Sequence, residues 1–315
     1  MPDRTPTVVS ATSEGIALAA TALAQGQLVA FPTETVYGLG ADARNGEAVA
    51  GIYAAKGRPS FNPLIVHLPN ATEAQKYCHW PEAAQKLAEA FWPGPLSLVL
   101  PLRAGHGLSS LVTAGLDTVA IRVPAHPAAR ALLAAFDGPV AAPSANPSGR
   151  ISPTTARHVQ DGLGNKVAVI LDDGPCTVGL ESTIVGIGGA PSLLRPGGVP
   201  IEAIEDVLEQ RLLSEVSSKI TAPGQLSSHY APNAAVRLNA TIAEEGEVLL
   251  GFGGMACDLN LSASGNLVEA AANLFDALHK LDATGNRIAV APIPETGLGV
   301  AINDRLRRAA APKPG

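Results

Sequence analysis

The chain has 315 residues, 46% of them hydrophobic, with 22 Lys plus Arg against 28 Asp plus Glu and a formal net charge of −6. That length suits two domains with real cores, and the acidic balance argues against a protein whose main task is to coat nucleic acid. Cys78, Cys176 and Cys257 stand far apart with no CxxC pair, which indicates neither a zinc cluster nor a disulfide framework and fits a reducing cytoplasm.

In chain order, the first feature is an Ala-rich stretch at 15–24. Glu14 abuts it, and Ile16, Ala19, Ala20 and Leu23 fall at helical spacing, so it reads as an amphipathic helix capped by Ser13 and not as a signal core. No apolar segment reaches the roughly 20 residues of a membrane span. Apolar strand candidates recur at 28–31, 64–68, 96–102, 119–123, 140–142, 167–171 and 183–187. Helical stretches at 46–56, 82–91, 127–136, 154–160 and 201–213 lie between or after them. Residues 1–213 therefore read as one mixed α/β domain. Residues 214–235, rich in Ser, Pro and Gly, read as a linker. The pattern strand, strand, helix, strand, helix over 236–238, 247–252, 266–281, 287–293 and 299–309 makes 236–315 a small Rossmann-like α/β domain.

Two runs carry most of the chemistry. Phe31-Pro-Thr-Glu-Thr-Val-Tyr-Gly-Leu-Gly-Ala-Asp42 follows a short strand and reads as a Thr- and Gly-rich loop offering hydroxyls and close backbone approach. In Lys56-Gly-Arg-Pro-Ser-Phe-Asn-Pro-Leu-Ile-Val-His67, a helix ends at Gly57, so Lys56 and Arg58 can both project toward one anion. Ala142-Pro-Ser-Ala-Asn146 adds hydroxyl and amide groups after another strand. Taken alone, His67 in its apolar strand reads as a hydrogen-bonded core histidine. Arg122 and Arg195 read by default as surface positions. Ser144 has no GxSxG elbow around it, so a phosphate contact suits it better than a nucleophile. Gly251-Phe-Gly-Gly-Met-Ala256, with Asp276 beyond, imitates a dinucleotide fingerprint. The residues after Ala256 make a poor helix start, however, and Asp276 falls inside a helical pattern.

The runs FPTETVYGLGADA and KGRPSFNPLIVH resemble the YrdC-like family, as do the Lys56-x-Arg58 plus Ser144-x-Asn146 tetrad, TVAIRVP at 118–124 and LESTIV at 180–185. SSHYAP at 227–232 and GLGVAINDRLRR at 297–308 resemble its longer, two-domain branch. The resemblance covers nearly the whole chain. It implies a twisted mixed sheet and a nucleotidyltransferase that condenses L-threonine, bicarbonate or CO2, and ATP into threonylcarbamoyl-AMP and pyrophosphate, for threonylcarbamoyl-adenosine modification of tRNA. By motif position, Lys56, Arg58, Ser144 and Asn146 would be catalytic. Thr35, His67, Arg122, Ala142 through its backbone and Ser182 would hold threonine, with Arg122 as a fork for the carboxylate. Arg58, Asn62, Thr118, Ser144, Ser152, Arg195 and Tyr230 would hold ATP. Mg2+ would accompany ATP, with no metal ligands of the protein's own. A downstream tRNA threonylcarbamoyl transferase is the implied partner; direct tRNA binding stays open, and no membrane is involved. The role of Tyr230 requires the linker to fold back over the first domain as a lid. Two rival classes remain. One is a double-stranded RNA binder, which would make the cations a backbone patch. The other is carbamoyl transfer from carbamoyl phosphate, whose enzymes carry paired-cysteine zinc motifs that this chain lacks.

Overall fold

The computed structural model describes residues 5–214 and 229–312. Eleven of its strands form one mixed sheet, in the order Thr7–Ser10, Val169–Asp172, Val29–Phe31, Gly38–Asp42, Val140–Ala141, Ile65–His67, Thr118–Arg122, Leu96–Pro101, Thr183–Gly186, Ser192–Arg195 and Leu213–Ser214. Helices cover both faces because both faces are apolar. On one side Leu39, Leu98 and Ile121 pack with Ile52, Leu87, Val159 and Ile204 from four helices. On the other, Val29, Phe31, Val140 and Leu171 meet Leu23 of helix Ser13–Ala24 and Leu132 and Leu133 of helix Pro127–Phe136.

A second lobe has a four-stranded parallel sheet, ordered Val236–Arg237, Arg287–Val290, Glu247–Gly251 and Leu259–Asn260, with helices Leu267–Asp282 and Leu298–Ala310. Its core of Leu250, Leu274, Leu278, Ile288 and Ile302 also takes in Val36, Ile151, Leu180 and Tyr230. The lobes thus share buried apolar surface, and Tyr230 is fixed where they meet.

The structure corrects several expectations. Residues 38–42 are a strand and not a loop: Gly38–Asp42 runs antiparallel to both Val29–Phe31 and Val140–Ala141. Gly40 is required there by crowding, since a Cβ would stand 2.9 Å from both Phe31 Cε1 and Val140 Cγ1. The first helix is capped by Thr12, whose side chain accepts from Gly15 N, and not by Ser13. The helix expected over 201–213 stops at Leu208, because Glu209 turns left-handed (φ 54°), and the chain then adds strand Leu213–Ser214 beside Ser192–Arg195. Strands Thr7–Ser10, Ser192–Arg195 and Leu259–Asn260 carried too few apolar residues to be foreseen. Of the expected linker, 215–228 lie outside the described residues. After Gly251 the chain reaches strand Leu259–Asn260 instead of a helix, and Asp276 pairs with Lys280 at 2.6 Å within a helix. Among the described residues no helix is long and apolar enough to cross a membrane.

Candidate active site

Several strands of the large sheet end at one small cavity. Thr33 and Thr35 follow Val29–Phe31, His67 and Arg122 close their strands, Ala142 and Ser144 follow Val140–Ala141, and Arg195 closes Ser192–Arg195. Ligand sites in open α/β sheets gather at such carboxyl ends. The parallel register sets His67 directly beside Arg122.

Arg122 is buried, against its default surface reading. It donates Nη2 to Glu34 Oε1 (2.5 Å), Nη1 to Thr35 Oγ1 (2.8 Å) and Nε to the Gly94 carbonyl (3.2 Å). Glu34 Oε2 accepts from Ala125 N at 3.0 Å. Glu34, Thr35 and Gly94 take one N–H each from Nη2, Nη1 and Nε, which leaves a second N–H on each Nη. Thr35 Oγ1 lies 2.7 Å from Thr33 Oγ1, which in turn takes the Thr35 and Val36 amides. Burial, and then Arg122, push the His67 imidazole down to about 3, so it is neutral at pH 7.

The opposite wall is built by Arg58, Arg195 and Ser182. Helix Gly46–Lys56 ends at Gly57 in a left-handed conformation (φ 61°). That turn directs Arg58 inward, where Nη2 donates to the Pro63 carbonyl (2.8 Å) and Nε to that of Asn62 (3.2 Å). Burial pulls its guanidinium down to about 10, with Arg195 adding repulsion, and it remains a cation at neutral pH. Arg195 reaches Ser182 through the carbonyl (2.8 Å) and the hydroxyl (3.2 Å), and Ser182 Oγ lies 2.8 Å from Ser97 Oγ. His229 and Tyr230 complete the lining. Burial, followed by Arg58, drives His229 well below its ordinary value.

Thr35, Arg58, His67, Arg122, Ala142, Ser144, Ser182, Arg195 and Tyr230 thus share one cavity. The other sequence candidates stand elsewhere. Lys56 lies behind the wall, with Nζ donating to the Ser144 carbonyl (2.5 Å) and to that of Asn146. Asn146 turns its amide to the Pro147 and Arg150 carbonyls and faces a separate cleft between the lobes. Ser152 donates to Glu181 Oε1 at 2.5 Å, which removes it from the lining. Thr118 starts the strand that Arg122 ends, four steps or roughly 13 Å away. Asn62 is buried beneath the Arg58 loop, and its side-chain amide has no internal partner.

Sequence reasoning missed Glu34, Glu181, His229 and Arg305. Glu34 and Glu181 each directly precede an assigned residue; a carboxylate inside an anion motif was itself the signal, since it demands a matching buried cation. Glu181 Oε2 accepts from Arg305 Nε at 2.8 Å. Burial alone would raise the Glu181 carboxyl, but Arg305 and Arg195 outweigh it and hold it below the usual range. Among the described residues the Lys, Arg, Asp and Glu residues buried as a whole are Lys56, Arg58, Arg122, Arg195, Arg305, Glu34 and Glu181. Arg58, Arg122 and Arg195 line the cavity, while Glu34 pairs with Arg122, and Glu181 and Asp304 pair with Arg305; so many buried cations in one region of an acidic protein suit an anionic ligand. Among the described residues, the buried side-chain polar atoms without a hydrogen-bond partner belong to Asn62, His229, Tyr230 and Arg305, in the same region.

Residues 21–197 match the Sua5/YciO/YrdC family model, described as telomere recombination, and 199–311 match the model of the threonylcarbamoyl-AMP synthase C-terminal domain. The chain is 42% identical to the threonylcarbamoyl-AMP synthase of Pyrococcus abyssi over 94% of each protein. It is 43% identical to that of Bacillus subtilis over 94% of this chain and 92% of the relative. Its fold superposes on the crystal structure of P. abyssi Sua5 complexed with L-threonine with a TM-score of 0.88 and 39% identity, covering 98% of both chains. A cavity lined by buried cations at the strand ends, joined to this second lobe, is accounted for by descent: the chain belongs to the two-domain threonylcarbamoyl-AMP synthase family.

Proposed function

We propose that the protein makes threonylcarbamoyl-AMP from L-threonine, bicarbonate or CO2, and ATP, releasing pyrophosphate. The observation that carries this reading is the collection of buried cations at one cavity, since both substrates to be joined there are anions. Threonine's neutral amine takes up CO2 as an N-carboxylate. One carboxylate oxygen then attacks the α-phosphorus of ATP, the bond from that phosphorus to the bridging oxygen breaks, and pyrophosphate leaves. Anion approaches anion in this step, so positioning and positive charge must supply the catalysis.

Arg122, Thr35, His67, Ser182 and the Ala142 backbone would hold threonine. Arg58, Arg195, Ser144, Tyr230 and Asn62 would hold the nucleotide. His67 and His229, both neutral, donate or accept hydrogen bonds without altering the charge balance. Lys56 and Asn146 act by shaping the Ser144 loop. Among the described residues no group of three or more His, Cys, Asp or Glu side chains could hold a metal. Glu34 and Glu181 are committed to arginines, so Mg2+ fits as part of the ATP substrate, on its phosphates. Burial of Lys56 and Arg58 does not suit the backbone of double-stranded RNA, which needs exposed cations. A cytoplasmic enzyme feeding a tRNA threonylcarbamoyl transferase completes the reading. The test is pyrophosphate release from ATP with threonine and bicarbonate omitted in turn: dependence on both supports the assignment, and release without threonine overturns it.

A further inference from the structure

We propose that Arg305, from the last helix of the second lobe, is a positioning residue of the cavity: it pairs with Glu181 so that a carboxylate in the anion site's wall does not oppose the nucleotide. This rests on the nucleotide reading given above.

Arg305 and Glu181 are 124 positions apart, on different lobes, and Arg305 is 0% exposed. Each Glu181 oxygen has one partner: Oε1 takes the Ser152 hydroxyl and Oε2 takes Arg305 Nε. Arg305 Nη1 donates to Asp304 at 2.6 Å, its guanidinium lies 5.1 Å from the Tyr230 ring centroid, and its Nη2 has no hydrogen-bond partner. Tyr230 packs in turn on Phe275 of the second lobe at 5.5 Å and on His229 at 4.1 Å.

Glu181 lines the cavity and immediately precedes Ser182, which receives Arg195. An uncompensated carboxylate there would repel a triphosphate and compete for Arg195. Arg305 prevents both by drawing Oε2 toward the second lobe. It also braces Tyr230 from behind through the ring face. The second lobe thereby contributes charge balance to the first lobe's cavity, beyond apolar packing.

The test uses the full chain and reads ATP binding by calorimetry beside threonine-dependent pyrophosphate release. Arg305→Met should weaken ATP at least about tenfold, and Arg305→Met/Glu181→Gln should recover most of that loss, because no carboxylate remains to be balanced. A double variant no better than Arg305→Met, or an Arg305→Met enzyme with normal ATP affinity, overturns the proposal. Should Arg305→Met fail to fold, Glu181→Gln alone decides: retained Asp304 still pairs Arg305, and ATP should bind about threefold to tenfold tighter. Weaker binding would show that the pair serves only to dock the lobes. ATP binding is measurable even if release proves independent of threonine, so this proposal can fail separately from the reaction assigned above.

Discussion

Lys56 and Ser144, 88 positions apart, meet through a single contact: the Lys56 ammonium donates to the Ser144 carbonyl at 2.5 Å, with the Asn146 carbonyl beside it. Burial, then Arg58, lowers this lysine well below its usual range. Its role is to fold the Ser144 loop around a buried donor. Lys56→Met strands two buried carbonyls, each costing about 1–3 kcal/mol. Stability should drop by several degrees in melting temperature and activity by about a hundredfold or more. Unchanged melting with full loss of activity would mean that Lys56 acts on substrate directly.

Arg58 lines the cavity, and among the described residues its guanidinium donates to the carbonyls of Asn62 and Pro63. Arg58→Ala should cost on the order of 3 kcal/mol of transition-state stabilisation, roughly a hundredfold in kcat/KM. Lys at 58 should restore only part, lacking the planar fork. Near-normal turnover by the Ala variant would remove Arg58 from the chemistry.

The hydroxyls of Thr33, Thr35, Ser97 and Ser182 form two close pairs at or beside the cavity. A site lined by hydroxyls should reject valine by roughly a thousandfold or more, because valine sets a methyl against polar groups that a threonine hydroxyl can join by hydrogen bonding. Serine, lacking only a methyl, should lose about tenfold to a hundredfold. Comparable kcat/KM for valine and threonine would point to a general carbamate-forming enzyme.

Burial holds five histidines below their ordinary value: His67 at about 3, His158 at about 4, His229 well below, and His126 and His279. His158 and His279 stack between the lobes at 3.9 Å. Unfolding frees all five to take protons once pH falls below about 6.5. The stability they contribute is therefore complete above that pH and is lost on acidification, until pH reaches each folded value. Each histidine adds a slope of about 1.4 kcal/mol per pH unit inside its window. Urea midpoints at pH 7.5 and 5.5 should differ markedly, and His158→Gln should flatten the dependence. A flat profile for the parent protein would contradict this.

Most of the architecture was legible because strand and helix periodicities are strong in 28–31, 96–102 and 266–281. Strands that carry glycine or polar residues were not: Gly38–Asp42 is held by its neighbours on both sides, a tertiary effect that no local pattern displays. Site residues followed the same logic. Arg58 was readable from the helix end at Gly57, whereas His67, a core histidine when read alone, entered the site only through the family resemblance. The burial of Arg122 and Arg195 was not, because a strand position reveals alternation and not which face is covered. Glu181 with Arg305 depended on a contact between lobes that sequence separation conceals.

Tyr230 has a left-handed backbone (φ 61°), and the amides on either side of it are tied to different lobes: His229 N to the Arg308 carbonyl and Ala231 N to that of Gly149. Among the described residues, these two hydrogen bonds and the packing of the Tyr230 ring on Phe275 tie this segment to both lobes. Opening there is a sub-global event, with its own free energy below that of unfolding. Deuterium uptake at these two amides would proceed on the clock of ligand exchange, while the sheet amides of both lobes stayed protected.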